Sequence, residues 1–133
     1  MSGSEFRWPV RVYYEDTDAG GVVYHTGYIR YFERARTEWL RARGYSQQRL
    51  AQEEGVLFTV VDLGIRYRRP ARLDDLLEVV TRAAGAGASV LFAQAARGSD
   101  GELLAEGEVR VACVDVRTFR PRRLPAWLRA EVG

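Results

Sequence analysis

The chain has 133 residues, enough for one domain with its own hydrophobic core and too few for two. Hydrophobic residues make up 47% of the sequence and charged residues 29%, as in ordinary soluble globular proteins. A net charge of +2, from 20 basic and 18 acidic side chains, gives no general case for nucleic-acid binding.

No apolar run approaches the roughly 20 residues that span a bilayer, and the N-terminal residues lack the apolar stretch of a signal peptide. We therefore expect a cytoplasmic protein. Its one cysteine, Cys113, and its one histidine, His25, cannot form a disulfide or a zinc site. Cys113 lies in an apolar stretch, and we interpret it as a small buried residue. The sequence predicts no metal and no cofactor.

The first predicted element is a strand from Phe6 to Tyr14, with Val10, Val12 and Tyr14 on one face. The clearest helix signal follows a polar, glycine-containing stretch. Apolar residues recur there at the spacing of one helix face, namely Tyr28, Tyr31, Phe32, Ala35 and Trp39. Gly44 is the predicted stop, and a short second helix is predicted from Ser46 to Glu54.

Beyond Gly55 the apolar period changes to two. A half-buried strand is predicted from the alternating residues Val61, Leu63, Ile65 and Tyr67. Three more strands are predicted around residues 77–81, 90–96 and 109–113, and residues 98–101 carry a hairpin signal. The tail from about residue 120 contains Pro121 and Pro125, and we expect it to fray or to dock on the surface.

This order predicts an α+β fold in which one long helix covers a five-stranded, mainly antiparallel sheet. It excludes the alternating βαβ pattern of nucleotide-binding folds, and no glycine-rich phosphate loop is present. We expect a single domain over residues 1–133. A sheet of this size leaves an edge and apolar surface unprotected, so we expect a homodimer or a homotetramer.

The densest cluster of reactive side chains, residues 13–28, joins the first strand to the long helix. Backbone N–H groups at a helix N-terminus are unpaired, and the positive end of the helix dipole lies there. Such a terminus can stabilise an oxyanion that develops on a carbonyl group. A carboxylate within reach of the same carbonyl could act as a base or as a nucleophile.

Residues 13–25, Tyr-Tyr-Glu-Asp-Thr-Asp-Ala-Gly-Gly-Val-Val-Tyr-His, resemble the signature of the YbgC-type acyl-CoA thioesterases. These enzymes belong with the 4-hydroxybenzoyl-CoA thioesterases in the hotdog superfamily. The likeness continues through residues 28–40, 67–75, 111–115 and 120–125, which is nearly the whole chain in order. The resemblance implies a hotdog fold and the hydrolysis of acyl-CoA thioesters to a free acid and CoA.

Carried over by residue, the resemblance implies that Asp18 is the catalytic carboxylate, as general base or nucleophile, assisted by Tyr14 and His25. An amide near His25 would polarise the thioester carbonyl. We expect the substrate to contact six further residues, Gly21, Val22, Tyr24, Phe58, Thr59 and Arg68.

Structural interpretations of the same residues stay open. Asp18 could be a turn cap, because Asp-Ala-Gly-Gly is turn chemistry. His25 could be a capping or surface residue, and Tyr14 could belong to the core. Asp16 is predicted to be the structural member of the Asp-Thr-Asp pair. Glu33 could line the pocket or form a salt bridge with Arg36 or Arg30.

The sequence departs from the hydroxybenzoyl branch, where basic residues in the turn between the middle strands bind the CoA phosphates. The corresponding turn here, residues 84–89, is uncharged. Other arginines are candidates for the phosphates, namely Arg66, Arg68, Arg69, Arg72, Arg117 and Arg120. The departure also leaves room for an acyl-carrier-protein thioester as substrate.

Two competing functions remain. A hotdog hydratase or dehydratase would use His25 as a base paired with a carboxylate. A non-catalytic acyl-binding subunit of an envelope or lipid-synthesis complex would need neither. The resemblance implies a link to the Tol-Pal envelope system, so an envelope protein is an expected partner.

Overall fold

The computed structural model describes residues 5–132; residues 1–4, where the N-terminal stretch considered above begins, and residue 133 lie outside it. Five strands form one antiparallel sheet in the order β1-β3-β4-β5-β2. The strands are β1 (Phe6–Arg11), β2 (Val56–Tyr67), β3 (Leu76–Ala86), β4 (Ser89–Arg97) and β5 (Leu103–Asp115). The helices are α1 (Gly27–Arg41), α2 (Gln47–Glu54) and α3 (Ala126–Val132), and a 3-10 turn spans Tyr14–Asp16. The predicted α+β hotdog arrangement, an antiparallel sheet around one long helix, is confirmed.

The long helix α1 packs on the sheet through the face that the sequence spacing predicts. All five residues of that face are buried, namely Tyr28, Tyr31, Phe32, Ala35 and Trp39. Full burial of one large apolar side chain contributes roughly 1.5–3 kcal/mol, so this face accounts for the docking of α1 on the sheet. The helix ends at Arg41, and the turn that follows includes Gly44, whose φ of 88° is the left-handed conformation that glycine adopts without strain.

Strand β2 forms one edge of the sheet, and several of its apolar side chains are exposed. Strand β2 pairs with β5 only, and its outer half exposes four large apolar side chains, Val60, Val61, Leu63 and Tyr67. The prediction of a half-buried face along this strand is therefore wrong within a single chain. The reason is that β2 is an edge strand, and nothing in residues 5–132 covers these four side chains.

The C-terminal tail, which we expected to be peripheral from about residue 120, contributes to the core from Leu124 onward, while residues 120–123 are exposed. It forms α3, and Leu124, Leu128 and Val132 are buried against the sheet and α1. A Cβ atom added to Gly85 of β3 would collide with the Val132 side chain, so glycine at this position lets Val132 pack directly on the β3 backbone. None of the helices in residues 5–132 is long and apolar enough to cross a membrane.

Candidate active site

The loop between β1 and α1 is a small hairpin held against the segment that precedes β3. Thr17 forms a bridge with Val23, and Val22 forms one with Arg72. The N–H of Val23 donates to the carbonyl of Ala71 over 2.8 Å, and the N–H of Asp18 donates to the carbonyl of Val22 over 2.9 Å. These backbone bonds fix the loop to the body of the protein.

Asp18 lies at the turn of this hairpin, with its side chain exposed. Its Oδ1 accepts a hydrogen bond from the N–H of Gly20 over 2.8 Å, and its carbonyl accepts one from Gly21 over 3.0 Å. Gly21 has a φ of 78°, which explains the glycine at this position. Oδ1 of Asp18 therefore has the turn-capping role that the sequence left open. Oδ2 has no hydrogen-bond partner within residues 5–132.

The neighbouring Asp16 is structural, as predicted. Its carboxylate is buried, and its Oδ2 accepts a hydrogen bond from the N–H of Tyr13 over 2.8 Å. Arg30 of α1 lies 3.6 Å from the other oxygen. Burial, together with this carboxylate, raises the pKa of Tyr31, which keeps its phenol neutral.

Tyr14 lies outside the core, and its side chain is 82% exposed. The prediction that it shares a face with Val10 and Val12 is wrong. Strand β1 ends at Arg11, and the 3-10 turn that begins at Tyr14 breaks the alternation. Tyr14 contributes its carbonyl, which accepts hydrogen bonds from the N–H and the hydroxyl of Thr17.

His25 ends the loop within a cluster of aromatic rings. Its ring lies 4.2 Å from the Tyr24 ring and 6.4 Å, edge-on, from the Tyr67 ring. The Tyr67 hydroxyl donates to the His25 carbonyl over 2.8 Å, and the Tyr67 ring contacts Tyr28 at 5.6 Å. The tip of β2 therefore holds the residue that enters α1.

The N-terminus of α1 offers unpaired backbone donors beside this cluster. Within residues 5–132 no hydrogen bond engages the N–H groups of His25, Thr26 or Tyr28. Thr26, the N-cap residue, does not cap the helix with its side chain. A Cβ on Gly27 would lie 2.7 Å from Val23, so only glycine lets the loop approach the helix this closely. The arrangement places free amides and the positive end of the helix dipole next to the loop that carries Asp18.

Sequence reasoning did not assign roles to Tyr28 and Tyr67. The buried Tyr28 hydroxyl accepts a hydrogen bond from the N–H of Ala71 over 3.1 Å, and burial raises the pKa of both tyrosines. Both residues therefore remain neutral phenols that hold backbone groups. The available signal was their position at the start of the matched segments 28–40 and 67–75, which we used for fold and register only.

Five of the predicted site residues lie together in the structure, and the others lie in different elements. Asp18, Gly21, Val22, Tyr24 and His25 share the loop, whereas Phe58 and Thr59 lie near the start of β2. The nine-residue distance from Phe58 to Tyr67 along the strand corresponds to roughly 30 Å at 3.3 Å per residue. Arg68 is bound to Glu106 through N–O contacts of 2.8 and 3.0 Å.

Phe58 lines a cleft of about 180 Å³ between α1 and the sheet. Within residues 5–132 no group of three histidine, cysteine, aspartate or glutamate side chains is arranged to hold a metal ion. Cys113 is buried, which raises the pKa of its thiol and confirms its interpretation as a small core residue.

Comparison with known proteins gives a consistent result. The model of the thioesterase-like superfamily matches residues 12–132. The acyl-CoA thioester hydrolase YbgC of Escherichia coli O6:H1 is 51% identical over 98% of both chains. The acyl-CoA thioesterase YbgC of Haemophilus influenzae is 47% identical over 98% of this chain and 96% of its own.

Among solved structures, a probable thioesterase from Bartonella henselae superposes with a TM-score of 0.86 at 36% identity, covering 92% of this chain and all of that one. The matched region contains the whole loop from Tyr13 to His25 and every strand from β2 onward. The chain therefore belongs to the thioesterase-like superfamily and, within it, to the YbgC group of acyl-CoA thioesterases.

Proposed function

We propose that this protein hydrolyses acyl-CoA thioesters at the junction between the Asp18 loop and the N-terminus of α1. The observation that carries the proposal is the pairing, on one short loop, of a carboxylate with a free oxygen and several unpaired backbone N–H groups. The names of the YbgC relatives support the same chemistry.

In the proposed reaction, the thioester carbonyl oxygen accepts a hydrogen bond from an amide near His25. Negative charge that develops on this oxygen is stabilised by the amide and by the helix dipole, an effect typically worth about 10²–10³ in rate. Oδ2 of Asp18 either removes a proton from an attacking water or attacks the carbonyl carbon itself to give a mixed anhydride.

In both routes the C–S bond breaks and the thiolate leaves. A thiol has a pKa of about 8.5, so the leaving group needs no strong general acid. In the water route the proton held by Asp18 returns to the thiolate or to solvent. In the anhydride route water then hydrolyses the acyl-aspartate and restores the carboxylate.

His25, Tyr24 and Tyr14 are proposed to position the substrate beside this carboxylate. The exposed rings of Tyr24 and His25 lie next to each other and offer an apolar surface to the acyl or pantetheine chain. Within residues 5–132 no carboxylate accepts a hydrogen bond from the His25 ring.

We further propose that the functional unit is a homodimer formed through β2. Its exposed apolar edge, which we call the β2 edge, comprises residues 60–67 and includes Val61, Leu63 and Tyr67. Antiparallel pairing of two such edges around a two-fold axis would satisfy their backbone groups and cover their apolar side chains. A homotetramer, a cytoplasmic location and an envelope protein partner stay predictions.

Among the arginines considered for the CoA phosphates, Arg72 lies nearest to the loop in the backbone pairing. It forms a bridge with Val22, and within residues 5–132 its guanidinium has no carboxylate partner. Arg68 and Arg69 instead form ion pairs with Glu106 and Glu102. Arg72 is therefore our candidate for a phosphate contact, and a carrier-protein thioester would also present a phosphate there.

The test is thiol release from a panel of acyl-CoAs by wild type and Asp18→Asn. Loss of the carboxylate should lower kcat/KM by about 10²–10⁴-fold, the usual range for a general base, while the oligomer and the fold persist. Asp100→Asn is the matched control, because Asp100 accepts the same type of turn hydrogen bond, from Glu102, in the β4–β5 hairpin. Unchanged turnover in the Asp18 variant would remove this residue from the mechanism.

A further inference from the structure

The cleft that contains Phe58 has two walls of different chemistry. The sheet supplies an apolar wall, including Phe92 and Val111, and α1 with the start of α2 supplies a polar wall beside the apolar Trp39 and Leu40 of α1. The polar wall consists of Glu33, Arg36, Thr37 and Gln47. The cleft therefore suits a ligand that is apolar along its length and polar at one point.

Arg36 is the one cation among the lining residues, and no carboxylate of residues 5–132 forms a salt bridge with it. Its Nη1 donates to Oε1 of Gln94 over 2.9 Å, and within residues 5–132 it forms no ion pair. The expected salt bridge between Glu33 and Arg36 is absent, although both residues line the cleft. Burial lowers the pKa of Arg36 more strongly than the field of Glu33 raises it.

The position of the Arg36 guanidinium is set by its hydrogen bond to Gln94 of β4. The amide group of Gln94 is buried and donates to the carbonyl of Phe32 and to the hydroxyl of Thr81, both over 3.0 Å. Its oxygen is thereby directed at Arg36. A guanidinium has five N–H donors, so most of its hydrogen-bonding capacity remains for a ligand.

A half-buried cation without an anionic partner is unfavourable, and an anion that enters the cleft removes the penalty. Carboxylates bind guanidinium groups through paired, charge-assisted hydrogen bonds. A terminal carboxylate on the acyl chain would meet this requirement.

The size of the cleft limits the length of that chain. An engineered apolar cavity of about 150 Å³ holds benzene, which has six non-hydrogen atoms. The cleft, at about 180 Å³, has room for a group of similar size. Three methylene groups and a carboxylate, the part of a glutaryl group beyond its thioester carbonyl, also number six.

The cleft of one chain lies farther from its own Asp18 loop than a glutaryl group can span. Phe58 and the loop's anchor Tyr67 are at opposite ends of β2, and Arg36 lies nine residues along α1 from Gly27, which corresponds to roughly 14 Å at 1.5 Å per residue. Antiparallel pairing of two β2 edges about an axis between residues 62 and 63 places Phe58 of one chain beside the partner's Tyr67. That axis falls in the middle of the exposed stretch 60–64. The dimer proposed above thus joins each cleft to the opposite catalytic loop.

We propose that Arg36 of one protomer binds the terminal carboxylate of a short dicarboxylic acyl thioester whose carbonyl is hydrolysed at the partner's Asp18 loop. This inference rests on the proposed function and on the proposed dimer. Glu33, on the same wall, weakens the binding of the anion by like-charge repulsion.

The test compares glutaryl-CoA with 5-methylhexanoyl-CoA, in which an isopropyl group replaces the carboxylate at nearly equal shape. Wild type should prefer glutaryl-CoA by about tenfold or more in kcat/KM. Arg36→Met should lower kcat/KM for glutaryl-CoA by about 10- to 100-fold, the usual effect of losing a charged hydrogen bond, and leave 5-methylhexanoyl-CoA unaffected. Arg36→Lys should retain part of the preference.

Arg34→Met is the matched control, since Arg34 is an exposed arginine on the same helix and does not line the cleft. Glu33→Gln, which leaves Arg36 in place, should raise kcat/KM for glutaryl-CoA and so tests the idea even if Arg36 variants fail to fold. Equal turnover of both substrates by wild type, or an equal loss on both in Arg36→Met, overturns the proposal. Absence of thiol release from every acyl-CoA, butyryl-CoA included, would instead overturn the proposed function.

Discussion

At the scale of single residues, Tyr67 links the edge of the sheet to the start of α1. Its hydroxyl donates to the His25 carbonyl, and its ring packs against His25 and Tyr28. The carbonyl of His25 and the N–H of Thr26, one of the unpaired amides near His25, belong to the same planar peptide unit. The contact that fixes this carbonyl therefore also restricts the direction of the Thr26 N–H group.

Tyr67→Phe removes this hydrogen bond and keeps the ring. We expect kcat to fall by up to about tenfold with little change in KM, because a single hydrogen bond is worth about 0.5–1.5 kcal/mol and 1.36 kcal/mol corresponds to a factor of ten. Steady-state thiol release measures both constants. Tyr45→Phe is the control, since Tyr45 stacks on Trp127 far along the chain and its hydroxyl has no hydrogen bond within residues 5–132. Equal effects of the two substitutions would contradict a positioning role.

How much of the site the sequence predicts depends on the range of each contact. The Asp18 turn and the structural role of Asp16 depend on neighbours within three residues. The sequence predicts the role of Asp16 and indicates the Asp18 turn as an alternative. Tyr67 reaches His25 across 42 positions, and no local pattern reveals such a contact. Tyr14 was misplaced because alternation was extended past Arg11, where a 3-10 turn replaces the strand.

At the scale of elements, α3 covers a part of the hydrophobic core that α1 does not cover. Its buried residues join a cluster that includes Trp39, Leu50 and Phe92. The helix has only seven residues, too few for a periodic apolar pattern, so the tail was expected at the surface. Pro125 was a sequence signal for this helix, because proline favours the first turn of a helix. In the structure the Pro125 carbonyl accepts a hydrogen bond from the N–H of Leu128.

Leu128→Ala should lower the free energy of unfolding by about 2–5 kcal/mol, the range for deleting a buried leucine and leaving a cavity. Urea denaturation at fixed protein concentration measures this change. Leu73→Ala is the matched control, because Leu73 is 39% exposed and the same deletion leaves no cavity there. A cost as small as that of the control would show that α3 does not belong to the cooperative core.

At the scale of the whole molecule, strand β2 explains two observations. Its apolar side chains are exposed, and the predicted site residues lie at its two opposite ends. The sequence predicts an unprotected sheet edge and therefore self-association, but it cannot say which edge. The structure identifies β2, where Val60, Val61, Leu63 and Tyr67 are exposed and no strand of residues 5–132 pairs on the outer side. It also shows Phe58 and the Asp18 loop at opposite ends of that strand, which sequence order alone does not reveal.

If each active site combines the Asp18 loop of one protomer with the cleft of the other, two inactive variants should restore activity together. Asp18→Asn removes the carboxylate, and Thr37→Trp fills the cleft that Thr37 lines. A heterodimer of the two has one doubly altered site and one native site. We expect about half of the wild-type kcat with butyryl-CoA, because an isologous dimer has two equivalent sites.

Co-expression with two different affinity tags isolates the heterodimer, and each variant dimer alone supplies the baseline. Recovery requires that the native Asp18 and the open cleft come from different chains, since every chain in the heterodimer carries one alteration. A site contained within a single chain predicts a heterodimer as inactive as its parents. The measured kcat therefore distinguishes a shared site from two independent ones, whatever acyl group the enzyme prefers.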